Sequence, residues 1–146
     1  METLTFTTTI KASAKKVWDI MTSHGTYEEW TGAAFPGSTF EGEWKKGARM
    51  RFMGPEGSGT LVEFVDLVPA KLARAVHRAV LLPGGKEDRE SEMAKGWIGT
   101  TEDYTLTEKN GTTEFVVEMK TTPAWKSMFE ESWPKILAKL KEICEK

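Results

Sequence analysis

The chemistry open to this 146-residue chain is narrow. Its only histidines are His24 and His77, and its only cysteine is Cys144. No H-x-x-x-H or C-x-x-C spacing occurs, so no metal site is expected. No serine stands in a G-x-S-x-G context, and Cys144 belongs to the last turns of a helical pattern, which leaves no nucleophilic triad. The glycine-rich run Gly54-Pro55-Glu56-Gly57-Ser58-Gly59 lacks the Lys-Ser/Thr of a phosphate loop and reads as a hairpin turn. Nothing calls for a cofactor. What remains is His77 and Glu102, a base and a carboxylate whose worth depends on whether they face water or a dry interior.

Asn110-Gly111 between two alternating strands is the strongest short-range hairpin signal in the chain. A two-residue loop sets Lys109 opposite Thr112, Leu106 opposite Phe115, Tyr104 opposite Val117 and Glu102 opposite Met119. Opposed residues share a sheet face. Leu106, Phe115, Tyr104, Val117 and Met119 must be the buried face, and Glu102 falls on it. The strand Leu72–Leu82 offers Leu72, Arg74, Val76 and Arg78 on one side and Ala73, Ala75, His77 and Ala79 on the other. Two arginines are harder to bury than one histidine, so the alanine–histidine face is expected inward. Alanines beneath bulky residues leave space, and His77 would point into it. The two strands are expected to be neighbours in one sheet, with His77 and Glu102 meeting directly or through a water.

The elements that carry these residues follow from periodicity. Leu4 to Ile10 alternates as a half-buried strand. Ser13 caps a short helix containing Val17, Trp18, Ile20 and Met21, and Thr26 with Glu29 has capping-box spacing for a second one ending at Trp30. From Thr39 to Met119 the chain reads as strands and turns: Met50–Phe52, Thr60–Val68, Leu72–Leu82, Trp97–Thr107 and Thr113–Met119, an antiparallel meander. Thr122 caps and Pro123 opens a last helix whose Trp125, Phe129, Trp133, Ile136, Leu140 and Ile143 recur every three or four residues. Pro134 interrupts it but the stripe keeps its phase, which predicts one bent helix.

The bulk composition suits one soluble domain spanning 1–146. Hydrophobic residues make up 39% and charged residues 29%, and a net charge of −2 argues against a nucleic-acid binder. No apolar stretch approaches a membrane span and the N-terminus carries no signal pattern, so a cytoplasmic location is expected. Lys45, Lys46, Arg49 and Arg51 form a basic cluster, read as a solvated face. Six tryptophans and seven phenylalanines are a large aromatic load for this length.

Val17-Trp18, Trp30-Thr31, Phe35-Pro36-Gly37-Ser38, Phe40-Glu41-Gly42-Glu43-Trp44, Gly47, Gly59, the Val65 to Pro69 stretch, Glu102-Asp103-Tyr104-Thr105-Leu106 and Ser132-Trp133 to Leu140-Lys141 stand in an order that resembles the SRPBCC (START-like, helix-grip) superfamily. Within it the chain resembles the family of the C-terminal domain of the activator of the heat-shock protein 90 ATPase. The resemblance covers essentially the whole chain and implies an α+β helix-grip fold: a curved antiparallel sheet gripping a long C-terminal helix, with an apolar cavity between. It brings no universal catalytic motif. Small stand-alone members look like binders of hydrophobic molecules.

The expected function is therefore binding of a small hydrophobic or aromatic molecule. The expected walls are Trp30, Phe52, Phe64, Tyr104, Val117, Trp125, Phe129 and Trp133, with His77 and Glu102 as polar anchors. Two alternatives stand beside it. One is a cofactor-independent cyclase- or isomerase-like enzyme using Glu102 or His77 as general base. The other is an interaction module that regulates a chaperone through its surface, with a protein partner or a second copy of the chain.

Overall fold

A computed structural model describes residues 2–146. The element order is β1 (Glu2–Ile10), α1 (Ala14–Thr22), α2 (His24–Thr31), β2 (Thr39–Gly42), β3 (Arg49–Met53), β4 (Gly59–Val68), β5 (Leu72–Leu81), β6 (Glu87–Asp88), α3 (Glu92–Trp97), β7 (Thr101–Lys109), β8 (Thr112–Thr121) and α4 (Pro123–Cys144). The strands form one antiparallel sheet in the order β1-β8-β7-β5-β4-β3-β2, with β6 on β5. This is the helix-grip α+β arrangement, with the long C-terminal helix packed on β1, α1 and α2.

The β7–β8 register follows from the turn. Asn110 and Gly111 both take positive φ, 55° and 78°, as a type I′ loop requires. Lys109 then pairs with Thr112, Tyr104 with Val117 and Glu102 with Met119, the register read from the sequence. Val117 and Phe115 are fully buried and Tyr104 and Leu106 nearly so. β5 lies beside β7, Ala73 opposite Tyr104 and Ala75 opposite Glu102, so the alanine–histidine face points inward and Arg74 outward.

α4 is continuous through Pro134, which lies on the solvent face. There the Glu130 carbonyl, deprived of its donor, can bond water. Ser13 caps α1 through its hydroxyl, which accepts from Lys16 N at 3.2 Å.

Three local expectations are corrected. α2 starts at His24 after Ser23, because the Thr26 hydroxyl donates back to the carbonyls of Ile20 and Ser23 instead of capping. Thr122 takes the cap position of α4 without a side-chain bond. Trp97 closes a helix and does not begin a strand: the Ser91 hydroxyl accepts from Ala94 N at 3.1 Å and opens α3, and Gly99, at φ 90°, turns the chain into β7.

At Gly59 the backbone runs against its neighbour strand. Its φ is 158°, and a Cβ there would sit 1.9 Å from the Phe52 carbonyl oxygen. Gly111 has left-handed backbone but open space around it. Gly111→Ala should therefore cost only the left-handed penalty, about 1–2 kcal/mol. Gly59→Ala must also displace β3 and should cost at least about 3 kcal/mol. Urea unfolding of both variants checks the ordering, and equal losses would show that the β3–β4 contact is not rigid.

Candidate functional site

Between the sheet and α4 lies a cavity of about 450 Å³. Its walls come from α2, from the β3–β4 hairpin, from β5 and β7, from Trp97 of α3 and from α4. Of the residues expected to form it, Trp30, Phe52, His77, Glu102, Tyr104, Phe129 and Trp133 line it. Phe64, Val117 and Trp125 do not. Phe64 is fully buried behind the wall and stacks on Trp44 with ring centroids 5.2 Å apart. Val117 belongs to the core beneath Tyr104. Trp125 meets Trp97 edge-on at 5.1 Å and packs in a separate cluster with Val80 and Ala94. Each carries the right apolar character but sits one layer too deep, or one turn too early on the helix.

Sequence reasoning missed much of the polar part of the wall: Tyr27, Thr31, Ser38, Trp44, Ser58, Thr60 and Trp97 also line it. The Trp97 indole N–H donates to Thr60 Oγ1 at 3.0 Å, and Thr60 Oγ1 lies 2.8 Å from His77 Nδ1. The Thr60 proton can also reach the Ala79 carbonyl, at 3.3 Å. The imidazole lies against the Trp97 ring, centroids 4.0 Å apart. A register shift in β4–β5 makes this cluster possible. Leu61 pairs with Ala79 but Val62 with His77, so Arg78 is the extra residue of a bulge. Past the bulge the alternating face is lost: Ala79 joins Leu61 and Leu81 in a small cluster away from the main core. The helix-forming run Glu92 to Lys95 behind Ser91 was the available signal for Trp97; the bulge left none.

His77 and Glu102 both face the cavity but are engaged separately. The Tyr104 hydroxyl donates to Glu102, while His77 is held by Thr60. The direct pairing expected from the two strand parities is not formed, and its consequence reverses. With no carboxylate partner, burial drives the His77 pKa down to about 3, so the imidazole is neutral. Burial raises Glu102 to about 6; the Tyr104 hydrogen bond opposes this and neighbouring Asp103 adds to it.

Among the described residues, three buried side-chain nitrogens have no hydrogen-bond partner: Trp30 Nε1, Trp44 Nε1 and His77 Nε2. All three residues line the cavity. Native interiors rarely leave such groups unpaired, since each costs about 1–3 kcal/mol. No three His, Cys, Asp or Glu side chains among the described residues gather as metal ligands would. The basic cluster lies on the surface, with Arg51 bonded to Glu87 at 2.7 Å and Arg49 3.8 Å from Glu63. No helix among the described residues is long and apolar enough to cross a membrane.

The family model of "Activator of Hsp90 ATPase homolog 1-like protein" matches residues 11–145. The chain belongs to that family, and so to the SRPBCC superfamily. Solved structures share its fold at low identity. The Aha1 dimer from Colwellia psychrerythraea is 19% identical with a TM-score of 0.74, over 99% of this chain and 97% of that one. Protein MLL2253 from Mesorhizobium loti is 16% identical with a TM-score of 0.70, over 97% and 95%. DynU16, a protein of the dynemicin biosynthetic locus, is 14% identical with a TM-score of 0.69, over 97% of this chain and 46% of that one. No functionally curated protein sequence matches the chain.

The two titrations act in opposite directions on stability. His77 has a folded pKa below its ordinary 6.5, so its contribution is complete above about pH 6.5 and is lost as pH falls towards 3. Glu102 has a folded pKa above its ordinary 4.5, so its contribution is present below about pH 4.5 and is lost as pH rises through 6. The His77 ring resonances should therefore not titrate between pH 5 and 8, and Glu102→Gln should leave them unchanged. A His77 midpoint near 6.5, followed by NMR, would contradict the dry site.

Proposed function

We propose that this protein, acting as one unit over residues 1–146, binds a small hydrophobic or aromatic molecule in the cavity between the sheet and α4. The observation that carries this reading is the composition of the wall. Aromatic rings surround about 450 Å³ of space, and three residues of that wall carry a buried nitrogen without a partner. The bound molecule would replace water along the rings of Trp30, Phe52 and Trp133, and a turn of a wall side chain toward it would give its nitrogen a partner. A cytoplasmic carrier or sensor role fits a cavity of this kind. The chain requires no cofactor for it.

A second reading, proton transfer by Glu102, is favoured by one specific observation. A carboxylate on the cavity wall, titrating near 6 and oriented by the Tyr104 hydroxyl, has the properties of a general base working close to neutrality. On this reading the protein would act as a cofactor-independent cyclase or isomerase.

Titration with the uncharged fluorophore N-phenyl-1-naphthylamine tests the first reading. Tryptophan quenching should be saturable with a dissociation constant in the micromolar range, about −8 kcal/mol. Ser38→Trp, which adds an indole to the cavity wall beside Thr31, should weaken it at least about tenfold with the fold intact by circular dichroism. Absence of saturable binding to the parent protein would end the cavity reading. The second reading predicts that the parent accelerates deuterium exchange at the α-carbon of a bound aryl ketone and that Glu102→Gln does not.

A further inference from the structure

Which molecules such a cavity could hold is decided by its charges. Among the described residues, neither lysine nor arginine lines it. On the strands beneath it, Arg51 of β3 and Arg74 and Arg78 of β5 are committed to Glu87, Asp103 and Glu63. Of the lining groups that could carry charge, Tyr27 and Tyr104 have pKa values raised by burial and stay neutral, and His77 stays neutral for the same reason. Only Glu102 ionises near neutral pH, and its charge is negative. A carboxylate-bearing ligand would thus enter with no counter-charge and with a second carboxylate in the same space, against a large desolvation cost.

The buried nitrogens without a partner are of two kinds. Trp30 Nε1 and Trp44 Nε1 can only donate. His77 is different, because the Thr60 hydroxyl sets its tautomer. Trp97 can only donate, so it occupies a lone pair of Thr60 Oγ1 and leaves that oxygen one proton to give. If Thr60 gives it to His77 Nδ1, Nε2 carries the hydrogen and donates. If Thr60 gives it to the Ala79 carbonyl, Nδ1–H donates to Thr60 and Nε2 presents a lone pair. The imidazole stays neutral in both. Its unpartnered edge is packed against protein, the residue being 1% exposed, so the ring must turn toward the cavity to meet a ligand's carbonyl or hydroxyl oxygen.

We propose that the cavity selects uncharged, oxygen-bearing aromatic molecules over carboxylates of the same shape, and that His77 Nε2 makes the hydrogen bond that holds the ligand's carbonyl or hydroxyl oxygen. The proposal rests on the binding role given above and adds the chemical class of the ligand and its point of attachment. Glu102, already accepting from Tyr104, takes no part in holding that oxygen.

Four naphthalenes of nearly one shape separate the terms. 2-Acetylnaphthalene carries a neutral acceptor, 2-isopropenylnaphthalene none, 2-naphthoate a negative charge and 2-naphthylmethylammonium a positive one. On the parent protein at pH 7.5 the ketone should bind about fivefold tighter than the alkene, the worth of one hydrogen bond of about 1 kcal/mol. It should bind at least about tenfold tighter than the carboxylate. His77→Phe keeps a ring against Trp97 and leaves Thr60 bonded to Trp97 and Ala79, so it orphans no partner; in it the ketone's advantage over the alkene should vanish while alkene binding persists. In the parent, ring ¹⁵N shifts of His77 should move on ketone binding to those of an Nε2-protonated tautomer, a readout that does not depend on the variant folding. Ketone and alkene binding equally, with His77 shifts unmoved, would overturn the proposal while leaving the cavity reading intact. So would carboxylate or ammonium binding tighter than ketone, the latter moving the attachment point to Glu102. Failure of all four probes to bind would remove both.

Discussion

Which side chains the sheet turns toward the cavity is set by one constraint, the alternation of side chains across the β5–β7–β8 ladder. The Asn110-Gly111 turn leaves no freedom in the β7–β8 register. A shift of one residue would turn Phe115, Val117 and Met119 to water. With that face fixed, Tyr104 and Glu102 must point at α4, and the neighbouring strand must answer them. It answers with Ala73 and Ala75, which are fully buried in the core and do not line the cavity, and with His77, which does. Trp30 of α2 and Phe129 and Trp133 of α4 stand across from these strands and close the chamber.

One polar corner of that space arises where the backbone departs from regularity. The bulge at Arg78 brings Thr60 within reach of His77, and α3 delivers the Trp97 indole to the same oxygen. One threonine hydroxyl therefore joins three elements and holds a neutral imidazole at the edge of an aromatic chamber. On the adjoining strand, Tyr104 and Glu102 form a second polar pair on the same face. These two polar points are each already satisfied on one side, and together with Tyr27, Thr31, Ser38 and Ser58 they give the chamber a hydrogen-bonding character without a positive charge.

Family membership agrees with this arrangement without explaining it. The fold is shared with proteins under 20% identical to this chain, and at that distance a common backbone says little about which side chains fill the interior. What marks this chain's cavity wall is the set Thr60, His77, Trp97, Glu102 and Tyr104, with no lysine or arginine among its described lining residues.

The sequence by itself determined whatever depends on neighbours along one chain or across one tight turn. The helix stripe from Phe129 to Leu140 survives Pro134 because its phase is a local property. The inward faces of β5 and β7 follow from parity, and the hairpin register follows from two residues whose backbone only a type I′ loop accommodates. The tertiary structure alone decided what depends on counting across non-adjacent elements. Parity puts His77 and Glu102 on one face, but cannot say whether their side chains meet; Thr60 and Tyr104 reached them first, and the sign of the His77 shift changed with the partner. The same limit explains Phe64, Val117 and Trp125, which alternation and period mark as inward without telling the first layer from the second. A bulge adds a residue without a sequence mark, because its strain is relieved by contacts on strands far away in the chain.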